Sequence, residues 1–258
     1  MIQSRLCKQK DFETEKFKKY VENINHNFRY HRKLWEFVAI IDTLHELNLL
    51  KEGTKGLGFA VGTEPLSAYF IKHGCDIVSS DFIVENNIWS TNNEVAYNID
   101  NLNEHKIISH DLLSQKCIFR VEDMNNIHSD LKQGKFDFIW SSCAIEHIGG
   151  LDKGLNYVVN SLDCLKSGGY SIHTTEYNCS SNDGTAEYSD NGIYRKKDFE
   201  KLETMLWGKA VLFPIDYDLG DMRYDNYIDT YPYSNETHLK LDLFGYISTS
   251  ALLIIKKL

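Results

Sequence analysis

Residues 56–65 read Gly56-Leu57-Gly58-Phe59-Ala60-Val61-Gly62-Thr63-Glu64-Pro65, and the fold turns on where this stretch stops being a strand. By its glycines alone, Gly56-x-Gly58-x-x-x-Gly62 imitates a dinucleotide loop. That loop needs an apolar strand immediately before its first glycine. The preceding residues, LLKEGTK, read instead as the end of a helix and a turn. The strand therefore runs through the motif, from about Leu57 to Val61, and the turn is Val61-Gly62-Thr63. Pro65 then falls in the first turn of a helix, where its missing N–H costs nothing. A small-residue turn entering a helix offers backbone N–H groups to an anionic group. An acid about 20 residues further on can accept from ribose hydroxyls, and Asp81 stands there.

Outward from this turn, helical and strand periods alternate. Upstream, Phe17, Tyr20, Val21 and Ile24, then Leu34, Trp35, Val38, Ile41, Leu44, Leu47 and Leu50, fall at helical spacing. They predict an N-terminal helical segment over 1–52, stopped by Gly53. Downstream, EPLSAYFIKHG reads as a helix, and DIVSSDF, CIFRVEDM and FDFIWSS as strands. LDKGLNYVVNSLDCLKSGG reads as a helix closed by its two glycines, YSIHTTEY as a strand and KKDFEKLETMLWG as a helix. AVLFPI and YISTSALLIIKK read as strands. Such alternation over 53–258 predicts an α/β domain, a mostly parallel sheet with helices on both faces. Two polar stretches, 178–194 and 216–245, break the rhythm and are expected as insertions.

Composition bounds the partners. Of 258 residues, 42% are hydrophobic, enough for a full core, and the net charge is −9. No Lys/Arg stripe is present, so nucleic acid is a poor partner. The N-terminal MIQSRLCKQKDFETEKF lacks an apolar leader core, and the longest apolar run, ALLII, is too short to span a bilayer. Six scattered cysteines without a C-x-x-C pair read as reduced thiols. Together these lead us to expect a cytoplasmic protein without membrane insertion. The oligomeric state stays open.

In order along the chain stand GFAVGTEPLSAYF, SSDF, VEDM, FDFIWSSCAIEHIGG and LKSGGYSIHTTE. This series resembles the motif set of class I S-adenosylmethionine-dependent methyltransferases, over about residues 55–176. The resemblance implies a three-layer, Rossmann-like, seven-stranded sheet whose last strand is antiparallel, with S-adenosylmethionine as cofactor. The family's first loop usually runs acid-x-Gly-x-Gly-x-Gly; those positions here are Gly58, Ala60, Gly62 and Glu64, so the acid is missing and only the middle glycine remains. Glu64 could serve the cofactor's ammonium group, cap the helix, or simply sit on the helix dipole. By position, Asp81 would take the ribose hydroxyls. Phe82 would flank the adenine, Asp123 accept from its amino group, Met124 pack the ring, and Ser141 lie at the methionine end.

Ligands of open parallel sheets bind beyond the carboxyl ends of the strands. That rule selects His147, after the fourth strand, and Glu176, after the fifth. His147 is the candidate base for taking a proton from an acceptor hydroxyl, with Glu176 as its partner or as a substrate ligand. Its alternative is a helix-start histidine bonded to backbone. His173 reads as a core residue. His238, Tyr224, Tyr227 and Asp218, in the second insertion, are candidate acceptor contacts, since tyrosine faces beside carboxylates suit a carbohydrate; a tyrosine-rich loop packed on itself is the other reading. His147, Glu176 and His238 could also gather a divalent metal, though no short-range ligand motif supports one. Arg32 and Trp35 could close over the cofactor, and Arg195, Lys196 and Lys197 could meet a phosphate. YNCSSNDGT, YRKKDFE, HLKL and STSALLI are similar to stretches of methyltransferases of bacterial surface-polysaccharide pathways, which implies a sugar, sugar nucleotide or phosphate-bearing capsule precursor as acceptor. An N- or phosphoramidate-type methyltransferase and a non-catalytic subunit of the same fold remain the competing readings.

Overall fold

The structure, a computed structural model, describes residues 2–82, 95–234 and 236–258. The chain opens with β1 (Ser4–Leu6), where the sequence pattern predicts only helices, followed by α1 (Gln9–Phe12), α2 (Glu15–Asn23), β2 (Tyr30–His31) and α3 (Arg32–Glu46). The helical period behind α2 and α3 is real: Phe17 and Val21, then Leu34, Trp35, Val38, Ile41 and Leu44, are buried. Thr14 Oγ1 accepts from Phe17 N and His31 Nδ1 from Lys33 N, which satisfies an orphan amide at each helix start.

The alternating region follows as β3 (Lys55–Phe59), α4 (Leu66–Lys72), β4 (Asp76–Asp81), α5 (His110–Lys116), β5 (Cys117–Val121) and β6 (Phe136–Ser142). Next come α6 (Leu151–Ser161), β7 (Leu165–Asn178), α7 (Lys196–Leu206), β8 (Ala210–Leu212), β9 (Ile215–Asp216), β10 (Ile228–Asp229), β11 (Thr237–His238), β12 (Lys240–Leu243) and β13 (Tyr246–Lys257). One expected boundary is wrong. LKSGG does not close α6, which ends at Ser161 with a 3-10 turn over Leu162–Cys164; Leu165 already pairs with Phe136 in β7. The two glycines absorb the register shift beside Phe136 and Phe138, and Gly168 does so at φ +77°.

β3, β4, β5, β6 and β7 are mutually parallel in the order β7-β6-β3-β4-β5, and β13 lies antiparallel against β7. Among the described residues the sheet holds eleven strands: the seven expected, in the order β5-β4-β3-β6-β7-β13-β8, with the short β1, β9, β10 and β12 added at that edge. The outer edge of β13 is not covered by one long strand. β8 pairs with its end, β1 with its middle and β12 with its start, so that Leu212, Leu6 and Leu241 face Ile255, Ala251 and Ser248. Pro214, which has no N–H to give a ladder, stands just after β8, and β1 fills the place further along. Helices cover both faces. Trp35, Phe70 and Trp140 pack in one apolar layer, and Tyr157, Phe199 and Leu253 in the other. No helix among the described residues is long and apolar enough to cross a membrane.

Candidate active site

Strand order reverses at β3, between β4 and β6, and a cleft of about 1010 Å³ lies beyond the carboxyl ends of these strands. Its floor is the turn after β3. Ala60 and Gly62 both adopt left-handed backbone angles, φ +49° and +51°. For alanine this conformation is rare and costs energy, as strained residues at functional sites do. Gly62 N donates to Asp81 Oδ2 at 3.1 Å, Ala96 N donates to the same oxygen at 2.9 Å, and Phe82 N to Oδ1 at 2.8 Å. Asp81 thus ties the end of β4 to the turn. Burial pushes its carboxyl up, while the N–H groups of Ala96, Phe82 and Gly62 pull it back.

Ala60, Gly62, Glu64, Asp81, Phe82, Asp123 and Met124 all line the cleft, but Gly58 and Ser141 do not. Gly58 sits inside β3, where a Cβ would lie 2.4 Å from the Trp140 ring and 2.5 Å from Val61 Cγ1. It makes room for an indole and is not a loop residue. Ser141 fails by strand alternation, because neighbouring side chains point to opposite faces. Its Oγ lies 2.7 Å from His173 Nδ1, and His173 Nε2 2.6 Å from Ser171 Oγ, in a fully buried chain. Burial pushes His173 down to about 3, as a core histidine. Ser142 takes the cleft position instead.

Glu64 does not cap α4; its carboxyl is buried and Oε1 accepts from Trp140 Nε1 at 2.7 Å. Burial drives it up to about 8, against the pull of that hydrogen bond. Asp123 accepts from Asn125 N at 2.8 Å, and Asn125 Nδ2 donates to Ile148 O at 3.0 Å. That bond ties the loop after β5 to the turn carrying His147. His147 Nδ1 lies 2.8 Å from the carbonyl oxygen of Asp190, which can only accept.

His147 and Glu176 both line the cleft, and Glu176, expected as a partner of His147 or as a substrate ligand, has a cation beside it. Arg32, at the start of α3, takes Glu176 in an ion pair at 2.5 Å, and Ser248 Oγ donates to the other carboxylate oxygen. Arg32 also lies 3.8 Å from Cys143 Sγ and 3.4 Å from Glu36. Glu36 is fully buried and receives Lys33 at 3.1 Å, Ser250 Oγ at 2.5 Å and Ser142 Oγ at 3.3 Å. Burial opposes its charge, but Lys33 and Arg32 outweigh burial and hold it below the usual range. Trp35 points away, its Nε1 donating to Asp11 at 2.6 Å.

The second insertion divides between two duties. Asp218 pairs with Lys8 at 2.9 Å, and Tyr224 packs on Tyr30 with its N donating to Gln9 Oε1. Tyr227 is exposed. These three expected acceptor contacts lie outside the cleft, Asp218 and Tyr224 being drawn off by the N-terminal segment. Tyr233, His238, Leu241 and Leu243 do line it, facing Asp190 and Asn191 of the first insertion. His238 Nδ1 lies 2.7 Å from Asp229 Oδ2, Ser234 N donates to Asp229 Oδ1, and both side chains are buried. The His238 ring stacks on His31 at 4.7 Å. Burial pushes its imidazole down from the usual range, against the opposing pull of Asp229.

The metal trio His147, Glu176 and His238 does not assemble. Among the described residues, Cys143, Glu146 and His147 offer ligand atoms within 4.8 Å of one another. That set fits an ion poorly. Glu146 is committed to Thr175 Oγ1 and Glu176 N, and burial raises the Cys143 thiol well above its ordinary value. Arg195 and Lys197 are likewise engaged internally, with Asp198 and with the carbonyl of Asp183.

Glu36 and Asp229 escaped sequence reasoning. Glu36 had a signal, an acid on the apolar face of a helix four residues from Arg32. Asp229 had none beyond being one acid among several.

No protein-family model matches the chain, and no curated protein matches its sequence. Solved structures do. An S-adenosylmethionine-dependent methyltransferase from Mesorhizobium loti superposes with a TM-score of 0.52 over 83% of this chain and 96% of its own, at 12% identity. Magnesium protoporphyrin IX methyltransferase from Synechocystis, with bound SAH, gives 0.50 over 96% and 97%, at 11% identity. The chain spans 60% of the length of a Galdieria sulphuraria structure matched at 16% identity and a TM-score of 0.48, and that likeness carries no argument. Sheet order, the antiparallel β13 and these superpositions agree: the chain has the fold of the class I S-adenosylmethionine-dependent methyltransferases.

Proposed function

We propose that the protein is an S-adenosylmethionine-dependent methyltransferase acting on a hydroxyl of a sugar, a sugar nucleotide or a phosphate-bearing glycan precursor such as a capsule unit. The observation that carries the cofactor is Asp81: a buried carboxylate at the end of β4, bonded to the left-handed turn after β3, at the strand-order reversal. A carboxylate there suits two ribose hydroxyls. Phe82, half exposed, and Met124 offer apolar faces for an adenine, and Asp123 an acceptor for its amino group. When bound, the cofactor supplies a methyl group on a sulfonium, already a good leaving group.

The chain's task is then to orient the acceptor and take its proton. Of the four histidines lining the cleft among the described residues, His26 and His105 pack on each other at 4.7 Å, and His147 and His238 are the two we consider for this. We assign the base to His238, because a carboxylate bonded to Nδ1 fixes the tautomer that leaves Nε2 able to accept. His147, tied to the Asp123 loop through Asn125 and Ile148, positions. The Arg32–Glu176 pair and Tyr233 supply polar and aromatic surface that suits a polyol. A nitrogen acceptor would need less help from a base.

Calorimetric titration with S-adenosylmethionine and, separately, NADH tests the cofactor. Micromolar binding of the first alone is expected, weakened at least about tenfold in Asp81→Asn. No binding by the wild type sinks the reading.

A further inference from the structure

Gly58, Trp140 and Glu64 form one unit. The family pattern puts an acid at position 58, and here no side chain fits there: even a Cβ would meet the Trp140 ring at 2.4 Å. The indole that occupies this space directs its Nε1–H onto Glu64, a residue of the cleft lining. The acid has been relocated, and the tryptophan is its support.

The surroundings of Glu64 decide its state. Its hydrogen-bond partner is a neutral N–H. The charged groups facing it are Lys33 and Glu36 from α3 and Asp81 from the end of β4. Lys33 lies 3.1 Å from Glu36, its own partner. Among the described residues Glu64, only 8% exposed, therefore has two acids nearby and no cation of its own. An anion in that position is costly to bury. A purely structural acceptor for Trp140 could equally be a glutamine. A carboxyl in the cleft wall suits an incoming cation.

Resting on the methyltransferase reading, we propose that Glu64, braced by Trp140, is the carboxylate that receives the cofactor's ammonium group, and that it carries a proton until that cation arrives. Loading then converts the carboxylic acid to a carboxylate paired with the ammonium, and the proton leaves to solvent. The position of Glu64 near 8 before loading accords with this. Cofactor affinity becomes coupled to pH through a group that takes no part in methyl transfer.

The test is calorimetric titration of the full chain with S-adenosylmethionine at about pH 7, where an α-ammonium is charged, in two buffers of different ionisation enthalpy. The wild type should release close to one proton per cofactor. 5′-Methylthioadenosine, which lacks the amino-acid moiety, should bind without release. Glu64→Gln keeps an acceptor for Trp140; it should bind S-adenosylmethionine at least about tenfold more weakly and release none. Asp81→Asn should bind weakly but still release the proton. Wild-type binding without proton release overturns the proposal without recourse to any variant, and so does Glu64→Gln binding as tightly as wild type. Absence of wild-type binding is a different result: it removes the methyltransferase reading, and this inference with it.

Discussion

At the scale of single residues, the site depends on which side chains have fixed partners. His238 is held by Asp229 at 2.7 Å and stacked on His31, while His147 is held by the Asp190 carbonyl. Once an acceptor is identified, His238→Asn should lower kcat by about 10²- to 10⁴-fold, the usual contribution of general-base catalysis. Asp229→Asn should lower it less and change the pH–rate profile, since an amide leaves the imidazole tautomer unfixed. His147→Asn should act mainly on KM. Equal losses of kcat in His147→Asn and His238→Asn would refute the assignment. Sequence reading singled out both histidines, but the Asp229–His238 contact was not legible, because Asp229 reaches His238 only through the path of the loop. It also counted Gly58 among the cofactor contacts, since a glycine reserved for an indole looks the same in one dimension as a glycine reserved for a ligand.

At the scale of elements, the parallel strands β3 to β7 were legible from apolar runs between turn signals, and so was the long strand β13, whose antiparallel sense the family resemblance implied. The composite edge was not. β1 is three residues long, too short for any period to register, and its partners β9 and β13 lie more than 200 residues away. Yet its contacts are those of a core strand: Leu6 is fully buried, and Ser4 Oγ accepts from Ile254 N at 2.9 Å. Leu6→Ala should therefore destabilise the protein by about 2–5 kcal/mol, as for a buried leucine elsewhere, measured by urea unfolding. A loss below about 0.5 kcal/mol, the range of surface substitutions, would mean that β1 is an ornament on the sheet. The second insertion teaches a related point. Its tyrosines and acids suggested a binding surface, but Lys8 and Gln9 compete for its first half, and that competition depends on β1 carrying them to the spot.

At the scale of the whole molecule, the buried charges join parts of the chain that the sequence keeps apart. Arg32, Lys33 and Glu36 come from α3, Ser142 and Cys143 from the end of β6, Glu176 from β7, and Ser248 and Ser250 from β13. Cations and acids here are mutually dependent, and removing one leaves a buried charge unpaired. Arg32→Met, which fills similar volume without charge, should cost about 3–5 kcal/mol because Glu176 loses its cation. The pH dependence of stability carries two opposite signs. Glu36, held below the usual carboxylate range, contributes stability that is present above its unfolded value and is lost as pH falls through the folded one. Glu64, raised to about 8, binds a proton in the folded state that the unfolded chain gives up at about 4.3; it favours folding below that value, and the benefit is lost as pH rises to about 8. Unfolding free energies from urea titrations between about pH 4.5 and 8 should therefore decline with rising pH on account of Glu64, by at most a few kcal/mol. Glu64→Gln should flatten that decline while leaving the acid limb, which belongs to Glu36, in place. If the decline survives in Glu64→Gln, the proton sits elsewhere in the cleft, and Asp81, the other carboxyl that burial raises, is where it would be sought next.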